Sequence, residues 1–247
     1  KFTGDARLRY TGSNDARDSK FQYRGRVKFE ATVNDNTKAV VRLASDNKEF
    51  GAAGNPTTAI DRVYVQHNFG KYATATAGRQ DLVVGAGLAF DGTFEGVVAK
   101  AGKDKLNGSV AFGYLQSGTY NGLDLGKIGR DVNEQVSVYQ LNYNPTAKVA
   151  VKGFYADAHE KNVHNAYGAS FDLKLGKKVW AGGEYVKTET LGANGEAWTA
   201  GVSYGNYNMA KQGTWTVKGQ YYNIKKDAPV IDSALGLAKK GNKGVYA

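Results

Sequence analysis

The sequence predicts an all-β fold, an antiparallel transmembrane β-barrel in which thirteen strands and the stub of a fourteenth are legible. Three observations predict it: a long strand with one oily and one charged face, connections that alternate between tight and long, and no apolar run fit to cross a bilayer as a helix. In residues 21–33, Phe21, Tyr23, Gly25, Val27, Phe29, Ala31 and Val33 alternate with Gln22, Arg24, Arg26, Lys28, Glu30 and Thr32. Successive side chains of a strand point to opposite faces, so one face is oily and the other charged. The run exceeds the roughly 5 to 6 residues usual in a soluble sheet and suits the roughly 10-residue tilted segments of membrane barrels. Turning Arg24, Arg26 and Lys28 toward hydrocarbon costs about 2 to 4 kcal/mol each near the midplane. The charged face must therefore meet water and the oily face lipid.

Period-two runs place strands at 2–11, 21–33, 38–46, 60–69, 72–80, 93–101, 106–116, 135–143, 148–156, 165–174, 179–187, 196–205 and 214–224. Tight connections at 34–37, around Gly70, and at 102–105, 144–147, 175–178 and 206–213 alternate with mostly longer ones, which sorts the two kinds to opposite ends of a meander. Outer-membrane barrels keep short turns in the periplasm and long loops outside, so the expected location is the bacterial outer membrane with Lys1 on the periplasmic side. Phe2, Phe69, Tyr72, Tyr143, Trp180 and Tyr207 lie toward the short-turn ends. Tyr10, Phe21, Tyr23, Tyr114, Tyr155, Tyr167 and Trp198 lie toward the long-loop ends, as two interfacial girdles require. The alternative is the aromatic core of a soluble sandwich, which scatters along strand centres.

The 247 residues are 41% hydrophobic, an average value for a soluble protein, but a barrel with a polar interior hides its membrane signal in alternation. The longest near-continuous apolar stretch, Leu82–Phe90, has nine residues. A helical span needs roughly 18, which leaves a closed barrel as the structure able to pair every backbone group within a bilayer. Cysteine is absent, excluding disulfides, thiolate metal sites and a thiol nucleophile. Pro56, Pro145 and Pro229 all fall in predicted loops, so no ladder is interrupted. A net charge of +10 raises the question of nucleic acid. Eight of the nine arginines, Arg7, Arg9, Arg17, Arg24, Arg26, Arg42, Arg62 and Arg79, lie in the first third, mostly alternating with apolar residues inside strands. Nucleic-acid arms cluster their charges instead, so no nucleic-acid partner is expected.

His159-Glu160 followed by His164 mimics a zinc-protease helix, but histidines five apart do not share a helical face, and a solvated loop accounts for them. Gly85-Ala86-Gly87 lacks the third glycine and the βαβ setting of a phosphate loop. Asp5, Glu30, Asp61, Asp81, Asp91, Glu95 and Glu184 single out no catalytic pair, so neither enzymatic activity nor a cofactor or metal is expected. The stronger constellation is electrostatic. Arg7, Arg9, Arg24, Arg26, Lys28, Arg42 and Arg62 alternate with lipid-type residues on successive strands and, with Arg79, are expected to form a basic wall lining the interior. Ion-paired scaffolding with Asp5, Glu30 and Asp61 is an equal alternative. The segment Asp81–Gly92 is too apolar for a loop in water. It is expected to fold inside, packing Leu82, Val83, Val84, Leu88 and Phe90 while Asp81, Asp91 or Glu95 face the basic wall as constriction acids. A short extra strand or an oligomer contact is the other reading.

Several stretches carry a resemblance: the opening Phe2-Thr-Gly-Asp-Ala-Arg-Leu-Arg-Tyr10, the strand Phe21-x-Tyr-Arg-Gly-Arg-Val-x-Phe-Glu30, Val40-x-Arg-Leu-Ala44, Ile60-Asp-Arg-x-Tyr-Val65, and Phe69-Gly before Gly78-Arg-Gln-Asp81. Together they resemble the barrel of general porins, most of all the major outer-membrane porins of diderm Firmicutes, in which an S-layer-homology domain and a coiled-coil stalk precede the barrel. The resemblance spans residues 1–247 as one porin domain and implies a 16-stranded, trimeric diffusion channel with the loop after Gly78-Arg79-Gln80 folded inward as the constriction. In such proteins the preceding region binds the cell wall, but no such sequence is present here. After the thirteenth strand come a Lys-rich stretch at 225–243 and Gly244–Ala247, so a closed barrel is expected to need about three further strands. The expected function is passive diffusion of ions and small hydrophilic solutes, with outer-membrane lipid and copies of the same chain as partners. A structural barrel that tethers the envelope to the cell wall and conducts little is the alternative. A soluble β-sandwich binding module is a more remote third reading.

Overall fold

A computed structural model describes residues 1–11, 19–116, 119–120, 123–124, 135–159, 165–189, 195–208, 210–230 and 242–246. Arg17, Glu160, His164 and most of the Lys-rich stretch lie outside the described residues. In chain order the strands are β1 (Phe2–Thr11), β2 (Lys20–Asn34), β3 (Thr37–Ser45), β4 (Lys48–Glu49), β5 (Thr58–Phe69), β6 (Ala73–Val84), β7 (Phe90–Gly102), β8 (Leu106–Leu115), β9 (Thr119–Tyr120), β10 (Leu123–Asp124), β11 (Gln135–Thr146), β12 (Val149–Ala158), β13 (Ala166–Lys174), β14 (Val179–Thr188), β15 (Glu196–Gly205), β16 (Thr216–Ile224) and β17 (Asn242–Tyr246). All except β4, β9 and β10 form one antiparallel meander in chain order. β4 adds to the side of β2, while β9 and β10 pair with each other. The thirteen strands read from the alternation are all present, and β17 is the stub, paired with Gln220–Ile224 of β16. β1 and β17 are the two edges of the sheet, and no ladder joins them among the described residues.

The two faces divide as the alternation requires. Leu8, Phe29, Val63, Val65, Val97, Phe112, Leu141, Val202 and Val217 are exposed on strands from β1 to β16, an apolar belt far wider than a soluble monomer presents. Cross-strand aromatic pairs reinforce it, such as Phe2 against Phe29 with ring centroids 5.4 Å apart. The opposite face carries charge on β1–β5, whereas from β8 to β16 it buries an apolar set, Ala111, Leu115, Val136, Val138, Phe154, Val186, Ala197 and Ile224, among a few polar side chains such as Glu184 and Gln220.

Two local expectations need correction. Asp81–Gly92 is not a loop: β6 continues to Val84, β7 begins at Phe90, and the pairs Asp81↔Thr93, Leu82↔Gly92, Val83↔Asp91 and Val84↔Phe90 continue the ladder. The continuous apolar reading concealed a period of two, because Val83 shares a face with Asp81 and Asp91 rather than with Leu82 and Val84. Trp180 does not belong to the girdle. It stands in register with Lys174 and Ser203, on the same side of β14 as the buried Glu184 and Val186, and its Nε1 donates to Asp172 at 2.9 Å. The remaining aromatics at the short-turn ends, Phe2, Phe69, Tyr72, Tyr143 and Tyr207, are exposed.

Candidate functional site

The β6–β7 hairpin builds the site. Pairing of β5 with β6 ends at Val63↔Arg79, whereas β6 and β7 stay paired to Val84↔Phe90, so the hairpin leaves the sheet beyond Arg79. The departure turns on Gly78, at φ +126°, where a Cβ would lie 2.2 Å from the Val63 carbonyl oxygen. Only glycine takes both that backbone conformation and that contact. Beyond it, Leu82, Val84, Leu88, Phe90 and Phe94 are buried, none more than 4% exposed, in one cluster with Val136, Val138, Phe154, Val186, Ala197 and Ile224. The hairpin thus lies on the inner face of β11–β16, and the sheet curls around it.

Its tip is fastened by two side chains. Glu184 on β14 accepts from Ala86 N through Oε1 at 2.9 Å and from Leu88 N through Oε2 at 2.8 Å. Gln140 on β11 accepts from Gly85 N at 2.8 Å and donates to the Val83 carbonyl at 3.0 Å. Gly85 sits at φ +65°, and a Cβ there would fall 2.1 Å from Glu184 Oε1, so the carboxylate approaches because the tip is bare. The two amides that meet the carboxylate would otherwise be costly orphans in an apolar setting. Among the acids read from the sequence, Glu184 had no distinguishing mark, and Gln140 none at all. A lone carboxylate in the otherwise small and apolar Ala181–Val186 run is the signal that points to a partner of its own.

Packing one side of the hairpin leaves the other facing the β1–β5 wall. That side carries Arg79, Asp81, Asp91 and Glu95, of which Asp81 and Asp91 are exposed. Arg62 on β5, itself 9% exposed, is ion-paired with Asp81, and Arg42 lies 3.8 Å from the same carboxylate. Arg79, the last residue of β6 paired with β5, is ion-paired with Glu95 and donates to the Asp61 carbonyl at 3.2 Å, so it joins the base of the hairpin to the wall. Arg42 also holds Asp61 at 2.7 Å. That contact depends on a bulge, since Arg42 pairs with Arg62 but Leu43 with Ile60, leaving Asp61 as the extra residue turned to the charged side.

Farther along the wall pairing thins out. Arg26 is chelated by Asp5 through Nε at 3.0 and 3.1 Å, and Lys28 reaches Glu30 at 3.6 Å. Arg24 is only within 3.9 Å of Asp5, already taken by Arg26, and Arg24 Nε is buried without a hydrogen-bond partner among the described residues. Arg7 stands directly opposite Arg24 and donates to Asn47 at 2.6 Å rather than to a carboxylate. Arg9, opposite Gln22, has no ion pair among the described residues. Like charges facing each other across a ladder destabilise it unless something compensates. The structure therefore brings Arg7, Arg24, Arg26, Lys28, Arg42 and Arg62 into neighbouring register positions and splits them into a paired zone beside the hairpin and a cationic zone at Arg7, Arg9 and Arg24. Among the described residues no group of three or more His, Asp or Glu side chains is placed to hold a metal ion.

Solved structures share this architecture. OprD of Pseudomonas aeruginosa, an outer membrane protein, superposes with a TM-score of 0.55 at 11% identity over 90% of this chain and 56% of its own. OccD3 (OpdP) of the same organism gives 0.54 at 13% identity, again over 90% of this chain and 56% of that one. The anion-selective porin from Comamonas acidovorans gives 0.50 at 14% identity over 100% of this chain and 93% of its own. The chain thus spans 56% of the length of OprD. No protein-family model matches the sequence, and no curated protein matches it significantly. At such identities the likeness concerns the fold, which is that of the porin-type outer-membrane β-barrel.

Proposed function

We propose that the chain forms a diffusion channel of the bacterial outer membrane for ions and small hydrophilic solutes, with the β6–β7 hairpin as its constriction. One observation carries the reading: the hairpin buries its apolar side on β11–β16 and turns Asp81 toward Arg42 and Arg62, with Asp91 and Glu95 on the same side. A gap with acids on one side and cations on the other holds a transverse field that orders polar solutes. Arg7, Arg9, Arg24, Arg26, Lys28, Arg42 and Arg62 line it, and the poorly compensated Arg7, Arg9 and Arg24 favour anions. The apolar belt meets outer-membrane lipid, the short turns face the periplasm with Lys1, and three copies assemble. A kinship with the S-layer-homology porins rests on the sequence resemblance alone, as does attachment to the cell wall through a region preceding such a barrel. Planar-bilayer recording tests the channel: stepwise conductance with a reversal potential in a salt gradient supports it, and a silent bilayer after confirmed insertion removes it.

A specific observation favours a second reading, a structural barrel with little conductance. Arg62 and Arg42 both reach Asp81, so the hairpin is tied to the wall across the very gap a solute must use. Conductance that rises several-fold when Asp81 is replaced by Asn supports this tied form.

A further inference from the structure

A cavity of about 340 Å³ lies between the hairpin tip at Gly87 and Leu88 and the inner face of β13–β16, where Asp172, Trp180, Thr199, Lys218 and Gln220 line it. It is separate from the charged gap, on the other side of the hairpin. We propose that it binds a neutral polyhydroxylated solute of about monosaccharide size, a site of binding that the channel reading neither needs nor supplies. Its volume lies at the small end of the roughly 300 to 1,000 Å³ typical of ligand pockets.

The polar groups state what would fit. Gln220 is only 7% exposed and donates through Nε2 to Thr199 Oγ1 at 3.2 Å, yet its Oε1 has no partner among the described residues. Thr199 cannot supply one, because its hydroxyl hydrogen goes to the Tyr221 carbonyl at 2.9 Å. A buried amide oxygen in this position calls for a donor. Glu184 also lines the cavity, and beyond the amides of Ala86 and Leu88 its carboxylate keeps lone pairs for a further donor. Lys218 holds Nζ 4.4 Å above the Trp180 ring and has no carboxylate or carbonyl acceptor among the described residues, so its N–H groups call for an acceptor. Asp172 pins the ring by accepting from Trp180 Nε1 at 2.9 Å and adds a second acceptor to the lining. A hydroxyl is the group that donates and accepts at once, so a ring of hydroxyls answers Gln220, Asp172 and Lys218 together. One ammonium stands here beside two carboxylates, Asp172 and Glu184, unlike the cationic zone at Arg7, Arg9 and Arg24, and that disfavours an anionic ligand. Leu88 and the indole offer apolar surface to its C–H groups.

The test is binding in detergent, independent of whether the channel conducts. Of the three tryptophans, Trp198 and Trp215 are exposed, and replacing both by Phe leaves Trp180 as the single reporter. Titrating the refolded protein with glucose should give a saturable change in its emission. Q220L and D172N should each weaken the affinity about tenfold, the effect of losing one well-made hydrogen bond. If Q220L fails to refold, K218M breaks no hydrogen bond of the protein and should give the same weakening. A response that is linear in glucose and equal in parent, Q220L and K218M means that water alone fills the cavity, which overturns the proposal. Saturation by potassium glutamate without saturation by glucose overturns it as well, by making the site ionic. A silent bilayer alongside saturable glucose binding would remove the channel and keep this site.

Discussion

The inner face of one continuous sheet is built in two unlike ways. Along β1–β5 it is a field of arginines held apart or paired by Asp5, Asp61 and Asp81. Along β8–β16 small and branched apolar side chains, Ala111, Val138, Val186, Ala197 and Ile224 among them, form a bed that a few polar groups such as Glu184 and Gln220 interrupt. Both regions present apolar side chains on the outer face, so the contrast on the inner face shows where the hairpin is placed to lie. Apolar burial is short-ranged and proportional to contact area, so it decides which wall the hairpin touches. Charge acts across a water-filled gap, so it decides which way the free side looks.

Breaking the apolar half should have the largest effect. Phe94, fully buried on the packed side of the hairpin, should cost about 3 to 5 kcal/mol of stability when changed to Ala, read by urea unfolding in lipid vesicles. A loss no greater than that of R9Q would mean that the hairpin is not held by packing. Glu184→Ala leaves the amides of Ala86 and Leu88 unpaired, and at about 1 to 3 kcal/mol for each buried orphan it should loosen the tip, seen as excess noise in single-channel current. Glu184→Gln retains one acceptor oxygen and should lie between the two. On the charged half the effects are smaller in stability and larger in selectivity. Arg24→Gln should move the reversal potential toward cations with stability nearly unchanged, while Arg26→Gln should make the same shift and lose about 1 kcal/mol with the Asp5 pair. An unmoved reversal potential in both would make the arginines scaffolding alone. Raising salt to about 1 M, where the Debye length drops to about 3 Å, should erase most of the selectivity of the parent protein.

The strand order was legible because alternation is a local signal: thirteen runs, their tight turns and the β17 stub all follow from side-chain period two. The site was legible only in part. Arginines on successive strands announced a wall, and the apolar run after Gln80 announced a segment needing cover, yet the cover lies on β11–β16, which no local pattern specifies. For the same reason Gln140 and Glu184 could not be found, since each matters through contacts 55 to 98 residues away along the chain. Trp180 was misplaced because nearness to a strand end says nothing about which face a residue takes, and Asp61 is turned by a bulge that shifts the register by one residue. The sorting of arginines into paired and uncompensated ones likewise depends on register, as Arg7 against Arg24 and Asp5 against Arg26 show.

The strand β2 runs for 15 residues, which at about 3.4 Å per residue and about 45° of tilt covers roughly 35 Å of height. The apolar band of an outer-membrane barrel is about 25 Å tall, so part of β2 rises clear of the hydrocarbon. At that end Phe21 stacks on Phe50 at 4.6 Å, Tyr23 meets the same ring at 5.6 Å, and β4 braces the strand from the side. That aromatic knot works as a buttress: it clamps β4 against the overhanging end of β2 and steadies the backbone that carries Arg24 and Arg26.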